Sequence, residues 1–593
     1  MPSTTFYKKS FATACIATLI CCWLLAGRGL AAEPLRLKIE GLDEDAQANV
    51  EAALTLPPGL VKNGSVDQRW LERFVRQVPD KVRQALEAFG FYAAEVHTDL
   101  TTLKENEQLL TVTIKPGPPV RVERVQVTLE GPGAQRKSLV RLRDSFPLQA
   151  GGVLRQDQYE KAKKGLQDQA VAIGYLDAAY RLHEIRVDLV RNTADVLLAL
   201  ETGPRYYFGE VRLTGADNYP EPFLRRYLGF AKGDVYTQSR LGQTQLNYLD
   251  SDRFREIRLL PDRPAAVDEH IPVEIALEPS ASKRLRPGVG YGTDTGARVS
   301  LKFENLNVFE RGHELHLEMN VSEVRQILGA AYIWPDLKRL HSFTALRAGL
   351  EQEDVDAFKT RKVYTEIERA RTLGRGKRGS VYTQVFYEDF DVADEKDGVF
   401  MIMPGVRFSH RGYRNLVRPR KGYQYKLELR GSDQWLGSDV GLLQLLAAGN
   451  FMVPLPWRFT IFVRGEGAGT LQDDTLQDIP VSLRFFAGGD QSVRGYAYKS
   501  LGPEDDEGEV IGGKHLLVGS IELERAIGEN WGVAAFYDVG NAFNSLSDFE
   551  AAEGVGLGGR YYTPIGPVKF DIARDISEPD PGYRLHLSIG FGW

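Results

Sequence analysis

Apolar and polar residues alternate through the C-terminal half of the chain, from about residue 284 to residue 593. Residues 423–430 read YQYKLELR, for example, and residues 315–321 read LHLEMNV. A two-residue period places the two kinds of side chain on opposite faces of a β-strand. Soluble sandwiches alternate too, but several charges on the polar face of one strand suit a water-filled lumen. The pattern therefore predicts an all-β transmembrane barrel.

The length of this half sets the size of the barrel. At about 10 residues a strand plus a turn, residues 284–593 hold roughly sixteen strands. We place eleven of them before Ile479 and five after Gly513.

The last residues form an apolar stripe that ends on an aromatic residue: Leu585, Leu587, Ile589, Phe591 and Trp593. In this form the stripe resembles the C-terminal signal of outer-membrane barrels. An ordinary edge strand is the alternative, but an exposed apolar edge promotes aggregation unless a barrel closes over it. The stripe favours a barrel that closes at its last strand.

Residues 1–31 have the organisation of a secretory signal peptide. Lys8 and Lys9 precede an apolar stretch at 11–26, and Gly29-Leu30-Ala31 supplies a small-x-small cleavage pattern. A lipoprotein signal or a membrane helix fits this segment less well. All three cysteines lie inside the segment, at Cys15, Cys21 and Cys22. The mature chain is therefore predicted to be exported and to carry no disulfide or thiolate-bound metal.

A smaller α/β pattern repeats three times before the barrel, with the order strand, two helices, strand, strand. We place the three modules at 33–117, 118–203 and 204–280, joined by linkers rich in proline and glycine. In the first module the apolar stripe from Leu71 to Phe89 predicts a helix pair that is broken at Pro79. Modules this small are expected to act as an array.

One glycine-rich segment, predicted to lie between strands eleven and twelve, is the most specific motif of the chain. It contains Gly488, Gly489, Val493, Arg494, Gly495 and Tyr496. This segment resembles the signature loop of the outer-membrane assembly-factor superfamily. Residues 536–541 (FYDVGN), 566–571 (GPVKFD) and 418–422 (RPRKG) are similar to further segments of that family, in the same order. The three small modules likewise resemble its POTRA domains.

The resemblance implies that this loop folds back into the lumen, where its arginine contacts acidic residues of the inner wall. Asp538 alternates with apolar neighbours and would be costly against lipid, so it should face the lumen and pair with Arg494. The same two-residue alternation places Glu522, Glu524 and Asp571 on the inner face, so they are alternative partners of Arg494. Alternatively, Arg494 is a solvated loop residue.

Three modules followed by a barrel are most similar to the TamA family, the outer-membrane subunits of the translocation and assembly module. The resemblance implies periplasmic modules, outer-membrane lipid around the barrel, and clients that are unfolded outer-membrane proteins such as autotransporters. It also implies an inner-membrane-anchored partner of the TamB type. The modules are expected to bind extended chains at their sheet edges, although a rigid spacer is the alternative.

Glycines mark both ends of the barrel sequence. Gly288, Gly290 and Gly292 lie in the first predicted strand, and Gly590 and Gly592 lie in the last. Such glycines weaken strand pairing and predict a lateral seam through which a client strand or disturbed lipid enters. Accommodation of barrel curvature explains them equally well.

Other classes of function fit less well. The sequence contains no nucleophile elbow and no zinc-protease motif, so we expect no catalytic residue, no metal and no cofactor. Residues 554–559 (GVGLGG) lead into no helix and are interpreted as a barrel strand rather than a nucleotide loop. A barrel phospholipase and a passive porin remain alternatives, and a two-partner secretion transporter is the main one. An excess of 80 acidic over 74 basic residues does not suggest nucleic acid.

Overall fold

The computed structural model of the chain describes residues 34–62, 65–104, 107–393, 395–412, 420–472, 476–563, 566–577 and 582–589. The predicted signal peptide lies outside the described residues, as do Gly590, Phe591, Gly592 and Trp593. The chain folds into two compact units. The first consists of Met1–Glu210, Lys232–Ser239 and Arg263–Ile271, and the second of Val211–Ala231, Arg240–Asp262 and Pro272–Trp593.

The first module is a three-stranded sheet covered by two helices. A two-stranded hairpin precedes its second helix. In chain order its elements are β1 (Leu35–Glu40), α1 (Glu44–Ala53), β2 (Val61–Lys62), β3 (Ser65–Val66), α2 (Gln68–Glu87), β4 (Glu95–Lys104) and β5 (Glu107–Lys115).

The prediction that Pro79 separates two helices is wrong. Helix α2 runs without interruption through Pro79, and its partner is α1, which lies earlier in the chain. Proline removes one backbone hydrogen bond from a helix interior. Here the apolar side chains on both sides of Pro79 remain on one face, and core packing offsets that loss. The buried residues of this face are Leu71, Phe74, Val78, Val82, Ala85 and Leu86.

The second and third modules repeat the same order, which confirms the prediction of three α/β modules. The second contains β6 (Arg121–Glu130), α3 (Lys137–Asp144), α4 (Gln156–Ala172), β7 (Ala179–Asp188) and β8 (Thr193–Glu201). The third contains β9 (Tyr207–Thr214), α5 (Glu221–Arg225), α6 (Gln238–Leu249), β10 (Phe254–Pro261) and β11 (His270–Pro279).

The three module sheets have one strand order in common. In the orders β1-β5-β4, β6-β8-β7 and β10-β11-β9, the last strand of each module lies in the centre. Each sheet therefore has the first and the second of its three strands at its edges. None of the helices in the described part of the chain is long and apolar enough to cross a bilayer.

The remaining strands form one closed antiparallel barrel of sixteen strands, eleven before residue 479 and five after residue 513, as predicted. They are β12 (Lys283–Gly292), β13 (Gly296–Val308), β14 (His313–Ser322), β15 (Arg325–Pro335), β16 (Phe343–Val355), β17 (Phe358–Gly374), β18 (Lys377–Val392), β19 (Glu395–Arg411), β20 (Gly422–Ser432), β21 (Leu442–Pro454), β22 (Phe459–Leu471), β23 (His515–Ile527), β24 (Trp531–Phe543), β25 (Ala552–Thr563), β26 (Gly566–Asp575) and β27 (Tyr583–Ile589).

The two faces of the barrel wall differ as the alternation predicts. In β24, Val533 and Tyr537 are exposed on the outer face, whereas Phe536 and Asp538 are buried on the inner face. A buried charge on the inner face requires partners inside the barrel, because an unpaired charge away from water is costly.

Within the second unit, the third module packs on the turn between β13 and β14. Arg253 is 3 % exposed, and its guanidinium lies 2.7 Å from the Glu314 carboxylate and 4.9 Å from the centre of the Phe223 ring. A Cβ atom at Gly312 would lie 2.5 Å from that ring, so the turn approaches the module closely. The contact therefore ties the third module to the first barrel hairpins.

Candidate functional site: the lumen loop and the inner wall

The longest connection of the barrel carries the signature segment. The whole connection, residues 472–514, joins β22 to β23 and is called the lumen loop below. Gly488, Gly489 and Gly495 have φ values of 99°, 102° and 104°, which a residue with a side chain rarely adopts. A Cβ atom at Gly488 would lie 2.3 Å from a backbone oxygen. The local chain path thus requires glycine at these positions, and it leaves Val493 and Arg494 buried.

Arg494 binds three carboxylates of the inner wall. Its Nε and Nη2 atoms donate to the two oxygens of Asp538 at 2.7 and 2.9 Å, and its backbone N–H donates to the same carboxylate at 3.1 Å. Its Nη1 atom donates to Glu522 at 2.9 Å and to Asp571 at 3.1 Å. Such charge-assisted bonds are about twice as strong as neutral ones.

The guanidinium of Arg494 also lies 3.3 Å from the centre of the Phe536 ring. Cation–π contact of this kind strengthens when water is excluded. Glu524, the fourth predicted partner, accepts a hydrogen bond from the Tyr562 hydroxyl at 2.6 Å. The structure thus brings Arg494 together with Asp538, Glu522 and Asp571.

A second buried arginine, which sequence reasoning missed, completes this cluster. Arg560 of β25 is 1 % exposed and donates from Nη2 to Glu522 at 2.8 Å. It also donates to both oxygens of Asp571. Two guanidinium groups therefore share Glu522 and Asp571, while Asp538 is held by Arg494. The alternation of inward and outward side chains that placed the carboxylates in the lumen also places Arg560 there. The same argument, applied to basic residues, predicts Arg560 as a member of the cluster.

Three glycines of residues 554–559 lie on the inner wall directly against this cluster. A Cβ atom at Gly554 would lie 1.9 Å from the Arg494 carbonyl oxygen, and one at Gly558 would lie 1.7 Å from an oxygen of Asp571. At Gly556 a Cβ atom would lie 2.3 Å from the Phe536 ring. This segment is a barrel strand, as predicted, and its three inward-facing glycines make room for the loop.

The closing edge of the barrel lies between β12 and β27. Among the residues that the structure describes, Tyr291 pairs with Ile589 and Gly292 with Ser588. A Cβ atom at Gly290 would lie 2.8 Å from the Ile589 oxygen, so the strands approach closely there. At Gly288 a Cβ atom would lie 2.5 Å from the hydroxyl of Ser300.

The predicted C-terminal stripe is described as far as Ile589. Leu585 and Ile589 are exposed on the outer face, and Leu587 is half-buried. His586, between them, is buried on the inner face.

The lumen loop reaches both sides of this closing edge. The Gly495 N–H donates to Nε2 of His586 in β27 at 3.2 Å. The Asp490 N–H donates to Asp294, in the turn that follows β12. Among the described residues no cluster of three or more potential metal ligands of the His, Cys, Asp and Glu types is found.

Comparisons with known protein families match most of the described architecture. Residues 307–593 match the Omp85 superfamily domain. Residues 36–116 match the POTRA domain described as TamA domain 1, and residues 206–277 match the POTRA family described as surface antigen variable number repeat.

Individual relatives agree with these matches. The chain is 22 % identical to the outer membrane protein assembly factor BamA of Nitratidesulfovibrio vulgaris (strain Hildenborough), over 94 % of this chain and 72 % of the relative. It is 23 % identical to the factor of the same name from Neisseria meningitidis serogroup B (strain MC58), over 88 % of this chain and 73 % of the relative. The crystal structure of Haemophilus ducreyi BamA lacking POTRA domains 1–3 superposes with a TM-score of 0.65 at 15 % identity, covering 79 % of this chain and 99 % of that one. This likeness concerns the fold.

Proposed function

Because this chain joins POTRA domains to an Omp85 superfamily barrel, we propose that it is the outer-membrane subunit of a translocation and assembly module. The barrel lies in the outer membrane and the POTRA domains lie in the periplasm. In this role the protein promotes insertion or secretion of outer-membrane proteins such as autotransporters. The single observation that carries the proposal is this joining of POTRA domains to the barrel, and the buried cluster around Arg494 adds that the lumen loop is fixed beside the closing edge.

The module sheets offer places for extended client chains. Each sheet has two edge strands, and in the first module β4 is a ten-residue edge strand whose outward side chains are largely exposed. An added strand forms main-chain hydrogen bonds at such an edge without a specific sequence. The alternating sequences of barrel strands favour the extended conformation that an added strand adopts.

The closing edge is the proposed entry for a client strand. Backbone groups in a bilayer must be paired, so a client can join the barrel wall only where two wall strands separate. Gly288, Gly290 and Gly292 in β12 lack side chains that would hold the two strands together. The expectation that Gly590 and Gly592 have the same role concerns positions outside the described residues.

A large inner-membrane-anchored protein of the TamB type is the proposed partner. The match of the first module to a TamA-type POTRA family supports this choice, because that module lies farthest from the barrel in sequence. The curated relatives are named as outer membrane protein assembly factors, and general assembly of such proteins is the second candidate function.

In-cell photocrosslinking of the full chain tests the proposal. A photoreactive residue replaces Thr101 on the exposed edge strand β4, and the control carries it at Arg73 on helix α2. We expect the Thr101 position to capture one large inner-membrane-anchored protein together with barrel clients, as identified by mass spectrometry. Capture of one secreted substrate without such a partner would instead identify a dedicated two-partner transporter.

A further inference from the structure

The lumen loop makes a second set of buried contacts with the inner wall, away from Arg494. The Nζ atom of Lys499 lies 2.8 Å from the Glu353 carboxylate of β16, and the Tyr498 hydroxyl donates to the same carboxylate at 3.2 Å. Glu353 is 7 % exposed. A buried carboxylate of this kind is stable only with such partners, so the pair holds this part of the loop firmly.

Ser482 forms a further contact with the same half of the wall. Its backbone N–H donates to Glu388 of β18 at 2.9 Å, and its hydroxyl donates to the other oxygen of that carboxylate. Thr360 donates to Glu388 at 2.8 Å, and Lys362 donates to the Ser482 hydroxyl at 3.1 Å. Glu388 is fully buried. Loop and wall thus satisfy each other's polar groups.

Arg484 ties the two limbs of the loop together. Its fully buried side chain donates to the carbonyl oxygens of Ile479 at 2.8 Å, Gln477 at 3.0 Å and Ile511 at 3.2 Å. It also reaches Glu395 of β19 at 3.3 Å. The side chain of Arg484 therefore connects the entering limb with the leaving limb.

Apolar packing reinforces this attachment. Three loop residues, Ile479, Val481 and Leu483, are no more than 1 % exposed. They join a buried cluster with residues of β17, β18 and β19 and of the segment that leads into β21 and includes its first residue, namely Phe358, Phe386, Phe390, Val392, Val399, Met401, Met403, Val440 and Leu442. Burial of these apolar side chains stabilises the attachment of the loop to this part of the wall.

The two sets of contacts lie across the lumen from each other. In a closed barrel of sixteen strands, β16 is eight strands from β24, so Glu353 and Asp538 belong to opposite sides of the wall. Their loop partners, Lys499 and Arg494, are five positions apart in sequence. The short segment between them therefore crosses the lumen.

We propose that Glu353 and Glu388 form a second anchor, which keeps the lumen closed when Arg494 leaves its site. The loop then pivots on the β16–β19 wall instead of leaving the barrel. Closure of the lumen is independent of the proposed function. A closed lumen implies that clients pass at the closing edge and not through the lumen, and this implication rests on the proposed function.

Conductance of the purified full chain in planar bilayers tests the second anchor. The variants are Arg494→Ala, the pair Glu353→Ala and Glu388→Ala, and all three changes together, with Glu318→Ala of the inner face of β14 as a control. We expect Arg494→Ala and the control to conduct like the wild type. The triple variant should conduct about tenfold more, towards an open sixteen-stranded pore. The proposal would be overturned if Arg494→Ala alone conducted at the level expected for the triple variant. It would also be overturned if the triple variant conducted only like the wild type.

A disulfide separates loss of the anchor from loss of the fold. Glu388→Cys with Ser482→Cys joins loop to wall at the second anchor, in the Arg494→Ala background. Oxidised and reduced protein should both show the heat-dependent gel shift of a folded barrel. We expect the oxidised form to stay closed under voltage. A variant that lacks residues 476–512 serves as the open reference. An oxidised form that conducts as much as this reference would contradict the second anchor.

Discussion

Arg494 of the lumen loop and Asp538 of β24 are joined by three hydrogen bonds, two from the guanidinium at 2.7 and 2.9 Å and one from the backbone N–H at 3.1 Å. The Asp538 side chain is fully buried and that of Arg494 is 6 % exposed. Because one residue supplies both a side-chain and a main-chain donor, the contact fixes the position and the direction of the loop.

We predict that Arg494→Ala leaves the protein exported but lowers its activity and the stability of its barrel. The change leaves Asp538 without its guanidinium partner, and removing one member of a buried pair costs about 3–5 kcal/mol. The temperature at which the folded form disappears from a gel should fall, and client assembly in cells should decline.

Lys359→Ala is the matched control for that variant, because Lys359 forms an exposed ion pair with Asp354. Exposed pairs contribute about 0–1 kcal/mol, so its stability should equal that of the wild type. If Arg494→Ala behaves like Lys359→Ala in both measurements, Arg494 does not hold the loop.

Arg560 and Arg494 should be energetically coupled through the carboxylates that they share. Arg560→Gln alone should destabilise the barrel, and so should Arg494→Ala alone. Together the two changes should deviate from the sum of the single effects by about 0.5–3 kcal/mol. Urea unfolding of the four proteins in detergent measures this deviation. Additive effects would mean that Glu522 and Asp571 do not connect the two arginines.

Gly554→Ala should displace the loop, because the new methyl group would lie 1.9 Å from the Arg494 carbonyl oxygen. Forcing a methyl group into a packed site costs about 1–3 kcal/mol. Gly559→Ala on the same strand meets nothing within 4 Å and serves as the control. The melting temperature of Gly554→Ala should be lower than that of Gly559→Ala. Equal melting temperatures would show that the packing of the loop does not require glycine at position 554.

Glu314→Ala should loosen the third module, because it removes a carboxylate partner of Arg253, which is buried. Hydrogen exchange in helices α5 and α6 should become faster. Glu256→Ala is the control, since its contact with Arg258 is exposed. Unchanged exchange in Glu314→Ala would show that the ion pair does not hold the module.

Strand period and length were sufficient to predict the barrel, its sixteen strands and its division at the lumen loop. They did not suffice for the first module. There a proline lies inside a helix because a continuous apolar face stabilises it, and local signals carry no information about that packing. The repeated order predicted two helices in the second module, but it gave no range for the short helix α3, in which Leu139 is the one buried residue.

Parity placed Asp538, Glu522 and Asp571 on the inner face, and the structure puts all three within hydrogen-bond distance of Arg494. Parity could not select Glu353 or Glu388 from the other inward-facing carboxylates. Their contacts with the loop depend on which strands lie opposite each other after the barrel closes. That information arises from strand order and closure, and spacing along the chain does not contain it.

Clients are proposed to enter the barrel wall at the edge between β12 and β27, and a reversible lock on that edge tests this entry. Tyr291→Cys with Ile589→Cys joins two paired residues there, and Val463→Cys with Ile521→Cys joins β22 to β23 as a control. Each protein is reconstituted in liposomes, and insertion of an unfolded autotransporter barrel is measured before and after reduction. We predict that oxidation abolishes insertion only for the first pair and that reduction restores it. Insertion at the wild-type rate by the oxidised first pair would contradict the claim.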